Sequence, residues 1–172
     1  MLNPPNIVNM VVFQAAWFAC ILWGNAVAPV CLVIGLGIHY WLVSRTPAEW
    51  LMILVGATLG LSMDMSWQRL GLVTFNDTVA GGFIPWLGVI WLLFMSTLKH
   101  SLGWLSRSLP MAAVAGALAA PLSYWAGIRM GAAVAHIPLW QLLAVFATGW
   151  ACLLPFLFFL LRSGQSPEKE LA

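Results

Sequence analysis

The chain has 172 residues, of which 62% are hydrophobic and only 7% charged, against roughly 25% charged in an ordinary soluble domain. Seven Lys/Arg and five Asp/Glu cannot cover the surface of a water-soluble fold of this length, so lipid is the solvent for most of it. The net charge of +2 comes from basic residues scattered singly, which excludes the basic patch that a nucleic-acid partner requires.

A helix that crosses the hydrocarbon core needs about 20 apolar residues, and the pattern predicts six such spans. The first covers residues 6–23, broken by Asn25 and Pro29. It lacks a Lys or Arg ahead of it and is longer than a signal core, so despite the small-residue Ala26-Val27-Ala28 it reads as a retained span. The second covers 27–43, with Pro29 tolerated in its first turn, and the polar turn Ser44-Arg45-Thr46-Pro47 follows. The third covers 49–68. Arg69 to Gly82, with Asn76, Asp77 and two adjacent glycines, is the longest loop. The fourth span covers 83–98, continuing as an interfacial turn to Trp104. The fifth covers 110–134 with Pro121 inside it, and the sixth 138–161 with Pro155 inside it. The expected class is therefore all-α: one polytopic domain over 1–172, a bundle of about six transmembrane helices with short loops, and a flexible polar tail over 163–172.

Seven tryptophans, Trp23, Trp41, Trp50, Trp67, Trp86, Trp104 and Trp140, fall near predicted span ends, where an amphipathic ring suits the headgroup level. Arg45, Lys99, Arg107, Arg162 and Lys169 share one predicted side, against Arg69 and Arg129 on the other. The positive-inside rule then puts both termini in the cytoplasm. Gly56 with Gly60, and Gly116 with Ala120, form small-x-x-x-small pairs that let helix backbones approach closely. No inverted repeat is visible. Cys20, Cys31 and Cys152 lie in apolar runs and read as small buried hydrophobes.

Asp64 is the sharpest polar feature. It stands about fifteen residues into the third span, roughly 22 Å at 1.5 Å per residue, and a carboxylate at depth must face protein or water. Gly56, Gly60, Asp64 and Gln68 recur every four residues, turning only about 40° per step, so Asp64 points toward a packed helix face. Arg129, Ser123 and Tyr124 are expected at a similar depth, the last two just after the kink at Pro121. Two readings stay open. One is an intramembrane polar site of Asp64, Gln68, Ser123, Tyr124 and Arg129; the other is an Asp64–Arg129 tether that only locks two helices. A second polar cluster, His39, Lys99, His100 and Ser101, is expected at the cytoplasmic side, where interfacial anchoring is the plain alternative to acid–base chemistry. The histidines His39, His100 and His136 have no metal-ligand spacing, and His136 is expected on the opposite side; the reading assigns no metal and no cofactor. Gln14 and Asn25 are expected to share a helix face and bond to a neighbouring helix.

Four pieces of the chain carry a family resemblance: Trp17-Phe18-Ala19-Cys20; Gly60-Leu61-Ser62-Met63-Asp64; His100-Ser101-Leu102 with Trp104-Leu105; and Pro121-Leu122-Ser123-Tyr124 with Gly127. On these, over nearly its full length, the chain resembles a family of small proteobacterial inner-membrane proteins classed as a domain of unknown function. Lys99 departs from it, since similar proteins are expected to carry an amide there, which moves weight to His100 and Ser101. The resemblance implies a bacterial inner membrane and an accessory or lipid-binding role in envelope fatty-acid or phospholipid metabolism. Membrane lipids are the expected partners, with a second copy of the chain or a membrane enzyme as candidates. The alternatives are a small proton-coupled transporter or permease using Asp64, and an intramembrane lipid-modifying enzyme. Neighbouring residues point about 100° apart on a helix, so Ser101 and His100 cannot pair directly as nucleophile and base.

Overall fold

The computed structural model describes residues 3–163; most of the predicted tail, with Lys169, lies outside the described residues. Helix α1 (Pro4–Trp23) starts where the Asn3 side chain accepts from the Asn6 amide and ends at Gly24, whose φ of 53° no longer continues a helix. Asn25 therefore lies in the following turn, off the face that carries Gln14. Helix α2 (Ala28–Ile38) places Pro29 in its first turn and runs into a π-helical turn, His39–Val43. Residues 28–43 span about 24 Å at 1.5 Å per residue, short of the ~30 Å hydrocarbon core. Helices α3 (Pro47–Arg69), α4 (Pro85–Leu98), α5 (Leu109–Arg129) and α6 (Leu139–Ser163) complete the bundle. Five of the six helical runs are long and apolar enough to cross a membrane, and the second is the exception. Ten of the fourteen residues of α4 are buried, so this helix forms the centre.

Helix α5 stops at Arg129 instead of continuing to residue 134. Gly131 turns the chain at φ 84°, Gly131 N–H and Ala132 N–H close the helix end on Ile128 and Gly127 carbonyls, and Ala133–Ala135 becomes a strand, β2. Its partner is β1 (Val73–Phe75), inside the segment expected to be only a loop. A strand pair has no hydrophobic periodicity to announce it when each strand has three residues.

Hydrogen bonds fix which helix ends lie together. Ser101 Oγ donates to the Asn6 carbonyl, Glu49 at the start of α3 meets His39 and His100, and Leu161 near the end of α6 lies with Met52 of α3, so the start of α1, the last turns of α6 and the connections α2–α3 and α4–α5 share one end. Asn25 bonds to Asp77 and to the Trp86 amide at the opposite end, beside the β ribbon. Helices therefore alternate in direction along the chain.

Two units of this bundle repeat. The α3–β1 and α5–β2 segments match with a separation of 60 residues, and each leads into a further helix, α4 or α6. Gly56, Gly60, Arg69 and Gly71 have Gly116, Ala120, Arg129 and Gly131 as counterparts. The local geometry follows. Asn76 N–H donates to the Ala132 carbonyl at 2.9 Å, and its counterpart His136 N–H donates to the Leu72 carbonyl at 3.0 Å. Thr74 lies opposite its own counterpart Val134 in the ribbon, so a local twofold axis passes between them. Helices α3 and α5 run in the same direction, so the repeat is parallel and not inverted.

The small residues do the packing expected of them. A methyl added at Gly60 would lie 2.3 Å from the Trp91 ring, and one at Gly116 would lie 2.6 Å from the Trp150 carbonyl oxygen; α3 thus packs on α4 and α5 on α6. The tryptophans divide. Trp23, Trp41, Trp104 and Trp140 are exposed to the surroundings as an interfacial ring should be, but Trp67 and Trp86 are core residues, 7% and 2% exposed. Trp86 donates to the Asn76 carbonyl and Trp67 packs on Phe146, so both are held by the bundle and not by headgroups.

Candidate functional site

Asp64 is 0% exposed and lies on the repeat axis. Its Oδ1 accepts from the Tyr124 hydroxyl at 2.5 Å and its Oδ2 from Trp91 Nε1 at 2.6 Å. Tyr124 OH also accepts from Trp150 Nε1 at 3.4 Å, and the Trp91 and Trp150 rings stack with centroids 4.9 Å apart at 11°. The arrangement is symmetric in position and complementary in chemistry: each repeat contributes one residue at the axis and one tryptophan that donates to it. Four helices are tied through one carboxyl group. Two neutral donors on a buried carboxyl satisfy the acceptors that burial would otherwise leave unpaired.

Of the five residues expected at this site, the structure joins Asp64 to Tyr124 and leaves the others elsewhere. Arg129 is exposed at the end of α5, and among the described residues the ion pairs all involve Glu49, so the expected Asp64–Arg129 pair is absent. The reason is the helix stop: α5 carries Arg129 past the packed region to its last turn, five residues beyond Tyr124. Gln68 turns to the ribbon. Its Oε1 accepts from the Phe75 amide at 2.9 Å and from Thr78, and its Nε2 donates to the Gly82 carbonyl at 3.3 Å. Ser123 faces a cavity next to Tyr124.

That cavity, about 340 Å³, lies among α1, α4, α5 and α6. It reaches from Leu102 and Leu105, in the α4–α5 connection, to Phe75 and Ala133 in the ribbon, and its walls are almost wholly apolar. Gln14 and Ser123 are polar groups on the wall. Its origin is visible in the repeat. Met63 and Trp67 of α3 fill the corresponding space by packing onto Gly149 of α6. Their counterparts sixty residues on are Ser123 and Gly127, which are too small to fill anything. Helix α1 covers the space, touching α5 at Ile21 and Gly127, while Gln14 and Ala119 on its rim are exposed.

The second expected cluster gathers around a residue the sequence reading passed over. Glu49, 4% exposed in the first turn of α3, accepts at Oε1 from the direction of His39 Nε2 (3.2 Å) and His100 Nε2 (2.6 Å). Its Oε2 meets Ser44 Oγ at 2.8 Å and Lys99 Nζ at 3.6 Å. Ser101 stands apart, bonded to the Asn6 carbonyl at 2.7 Å. One donor atom from each of His39, Glu49 and His100 lies within 4.8 Å of the others. Glu49 read as an ordinary acidic residue at a helix start, favourable near the positive end of the helix dipole. Its separation from His39 by 10 residues and from His100 by 51 follows no ligand spacing, so only the fold could join them.

Neither a curated protein nor a solved structure matches the chain. A family model, described as a protein of unknown function (DUF2878), matches residues 6–156. That span takes in α1 to most of α6, the ribbon, the Asp64–Tyr124 centre and the Glu49 cluster: the chain belongs to the DUF2878 family.

Proposed function

We propose that this multi-pass membrane protein holds a single hydrocarbon chain of a membrane lipid in the cavity bounded by α1, α4, α5 and α6. The observation that carries the reading is the substitution of Ser123 and Gly127 at the positions where the first repeat has Met63 and Trp67, which opens about 340 Å³ in one half of an otherwise repeated bundle. Ligand pockets occupy about 300–1,000 Å³, so this volume suits one chain and not a whole two-chain phospholipid. The α5 lining runs from Ala115 to Ile128, about 20 Å of helix at 1.5 Å per residue. One leaflet of a ~30 Å hydrocarbon core is about 15 Å deep, so the cavity accommodates a chain that enters from a leaflet and lies between Leu105 and Ala133, past Gln14 and Ser123. The exposed rim at Ala119 and Gln14 supplies the entry from lipid.

An accessory role in fatty-acid or phospholipid metabolism of a bacterial inner membrane fits this reading. The cationic residues Arg45, Lys99, Arg107 and Arg162 at the Glu49 end support that end as cytoplasmic. Proton-coupled transport by Asp64 is less favoured, because the carboxyl group is closed on all sides by Tyr124, Trp91 and their neighbours. The test is purification in a mild detergent, followed by mass spectrometry of extracted lipid for the wild type and for Ser123→Met, which restores the filler used by the first repeat. One acyl-bearing molecule per chain in the wild type, lowered at least tenfold in the variant, is expected. Equal lipid content in the two proteins refutes the reading.

A further inference from the structure

The Glu49 cluster is the part of the bundle that the repeat does not require. Sixty residues on from Glu49 stands Leu109, so the second unit starts its first helix with an apolar side chain. Placing a carboxylate 4% exposed beside a fully buried imidazole is costly in this setting, and the fold has a cheaper alternative within its own sequence. We propose that His39, Glu49 and His100 form a binding site for one first-row divalent transition metal ion of the Zn²⁺ or Fe²⁺ class.

The donor set is two imidazoles and one carboxylate, which suits these ions and leaves coordination positions open for water or a ligand. The three come from separate elements: the π-helical turn after α2, the first turn of α3 and the connection after α4. Irregular π turns within helices recur at functional sites. The separations are close to those a metal needs. Bonds of about 2.0–2.2 Å hold tetrahedral donors roughly 3.3–3.5 Å apart. His39 Nε2 is already 3.2 Å from Glu49 Oε1, and His100 Nε2, at 2.6 Å, retreats by less than ~1 Å. His100 has room for this movement, since its side chain is 21% exposed and α4 has already ended at Leu98.

The surroundings are built for a ligating carboxylate. Ser44 and Lys99 hold the second oxygen, Oε2, and leave Oε1 to the two imidazoles; such outer contacts orient a metal-bound carboxylate. The positive charge of Lys99 next to the ion favours an anionic group, hydroxide or a lipid carboxylate or phosphate, at the open position. Among the described residues, the buried side-chain polar atoms without a partner are His39 Nδ1 and Trp50 Nε1, and both rings lie in this cluster, 5.5 Å apart between centroids. Neither atom faces the site, so the His39 ring is held through Nε2, the nitrogen that would ligate the ion.

The experiment uses the full chain in detergent micelles, stripped with a chelator and dialysed. Zn²⁺, and anaerobically Fe²⁺, are titrated against a chromophoric competitor, with Mg²⁺ as the control for hard cations. One Zn²⁺ or Fe²⁺ per chain is expected, with binding weakened by about tenfold or more in His100→Ala and in Glu49→Gln. His136→Ala, at the ribbon end, retains binding. His100 is partly exposed, so its variant folds even where Glu49→Gln does not. Binding that survives His100→Ala, is lost in His136→Ala, or fails to reach one ion per chain overturns the proposal, and does so independently of the lipid cavity.

Discussion

Replacing Tyr124 with Phe removes a single oxygen from the axis between the repeats and leaves the ring in place. That oxygen donates to Asp64 Oδ1 at 2.5 Å and accepts from Trp150 Nε1 at 3.4 Å. Asp64 is 0% exposed, so water does not replace the lost donor. Hydrogen bonds between membrane helices average about 0.6 kcal/mol and reach about 1.7 kcal/mol. The short bond to a fully buried carboxyl belongs near the top of that range and the long indole bond near its mean, so the expected loss is about 2 kcal/mol. The assay is reversible unfolding in mixed micelles by denaturing detergent, read by tryptophan fluorescence. A double-mutant cycle with Asp64→Leu isolates the pair, and neighbours that share a network couple by about 0.5–3 kcal/mol. A Tyr124→Phe variant within about 0.5 kcal/mol of the wild type, the scale of an ordinary surface change, refutes the account of Asp64 as the tie between four helices. So does a coupling near zero.

Gly60→Ala brings a methyl carbon to 2.3 Å from the Trp91 ring, which is stacked on Trp150 and cannot retreat, so a loss of about 1–3 kcal/mol is expected in the same unfolding assay. Gly88→Ala meets Leu61 at 3.4 Å, an ordinary contact, and is expected to be near neutral; equal effects at the two positions contradict the packing described. Gly71→Ala and Gly131→Ala force a side chain to φ 70° and 84° and are each expected to cost about 1 kcal/mol, with similar values because the positions are repeat counterparts. Asn25→Ala removes the acceptor of the Trp86 amide at 3.1 Å and the donor to the Asp77 carbonyl at 2.8 Å, so hydrogen exchange at Trp86 should accelerate while exchange at the Glu49 end stays unchanged.

The all-α bundle and the approximate helix positions were legible because a run of about 20 apolar residues has few other uses. The inward aim of Asp64 was also legible, since the four-residue spacing of Gly56, Gly60 and Asp64 fixes one helix face. The partner was not. A carboxylate invites a search for a cation, and Arg129 was the nearest in depth, but a buried carboxyl is satisfied equally by neutral donors, and Tyr124 with Trp91 supplies them. The ribbon was missed because two three-residue strands carry too little pattern, although the paired Arg-x-Gly at 69–71 and 129–131 was available as a signal. An inverted repeat is absent from the sequence, and these two units instead run in the same direction, with few identical residues to mark them. Glu49 was missed because its partners lie 10 and 51 residues away in other elements.

The parallel repeat also explains why a single chain carries this site where a symmetric pair of identical units could not. A twofold axis brings each residue near it against its own counterpart. With identical units the position of Asp64 would face a second Asp, and two carboxyl groups at 2.5 Å cannot both be charged. With Tyr in both, the hydroxyls would lack the strong acceptor that holds four helices together. Joining the units in one sequence lets the two sides differ, so that an acceptor on α3 meets a donor on α5. The same freedom lets Ser123 and Gly127 leave open what Met63 and Trp67 close, and lets Glu49 collect two histidines where Leu109 collects none. Agreement between the halves, at Gly56 and Gly116 or Gly71 and Gly131, marks what the fold needs in order to pack and turn. Their disagreements fall at the axis, the cavity and the Glu49 cluster, which are the three places where this bundle has chemistry to offer.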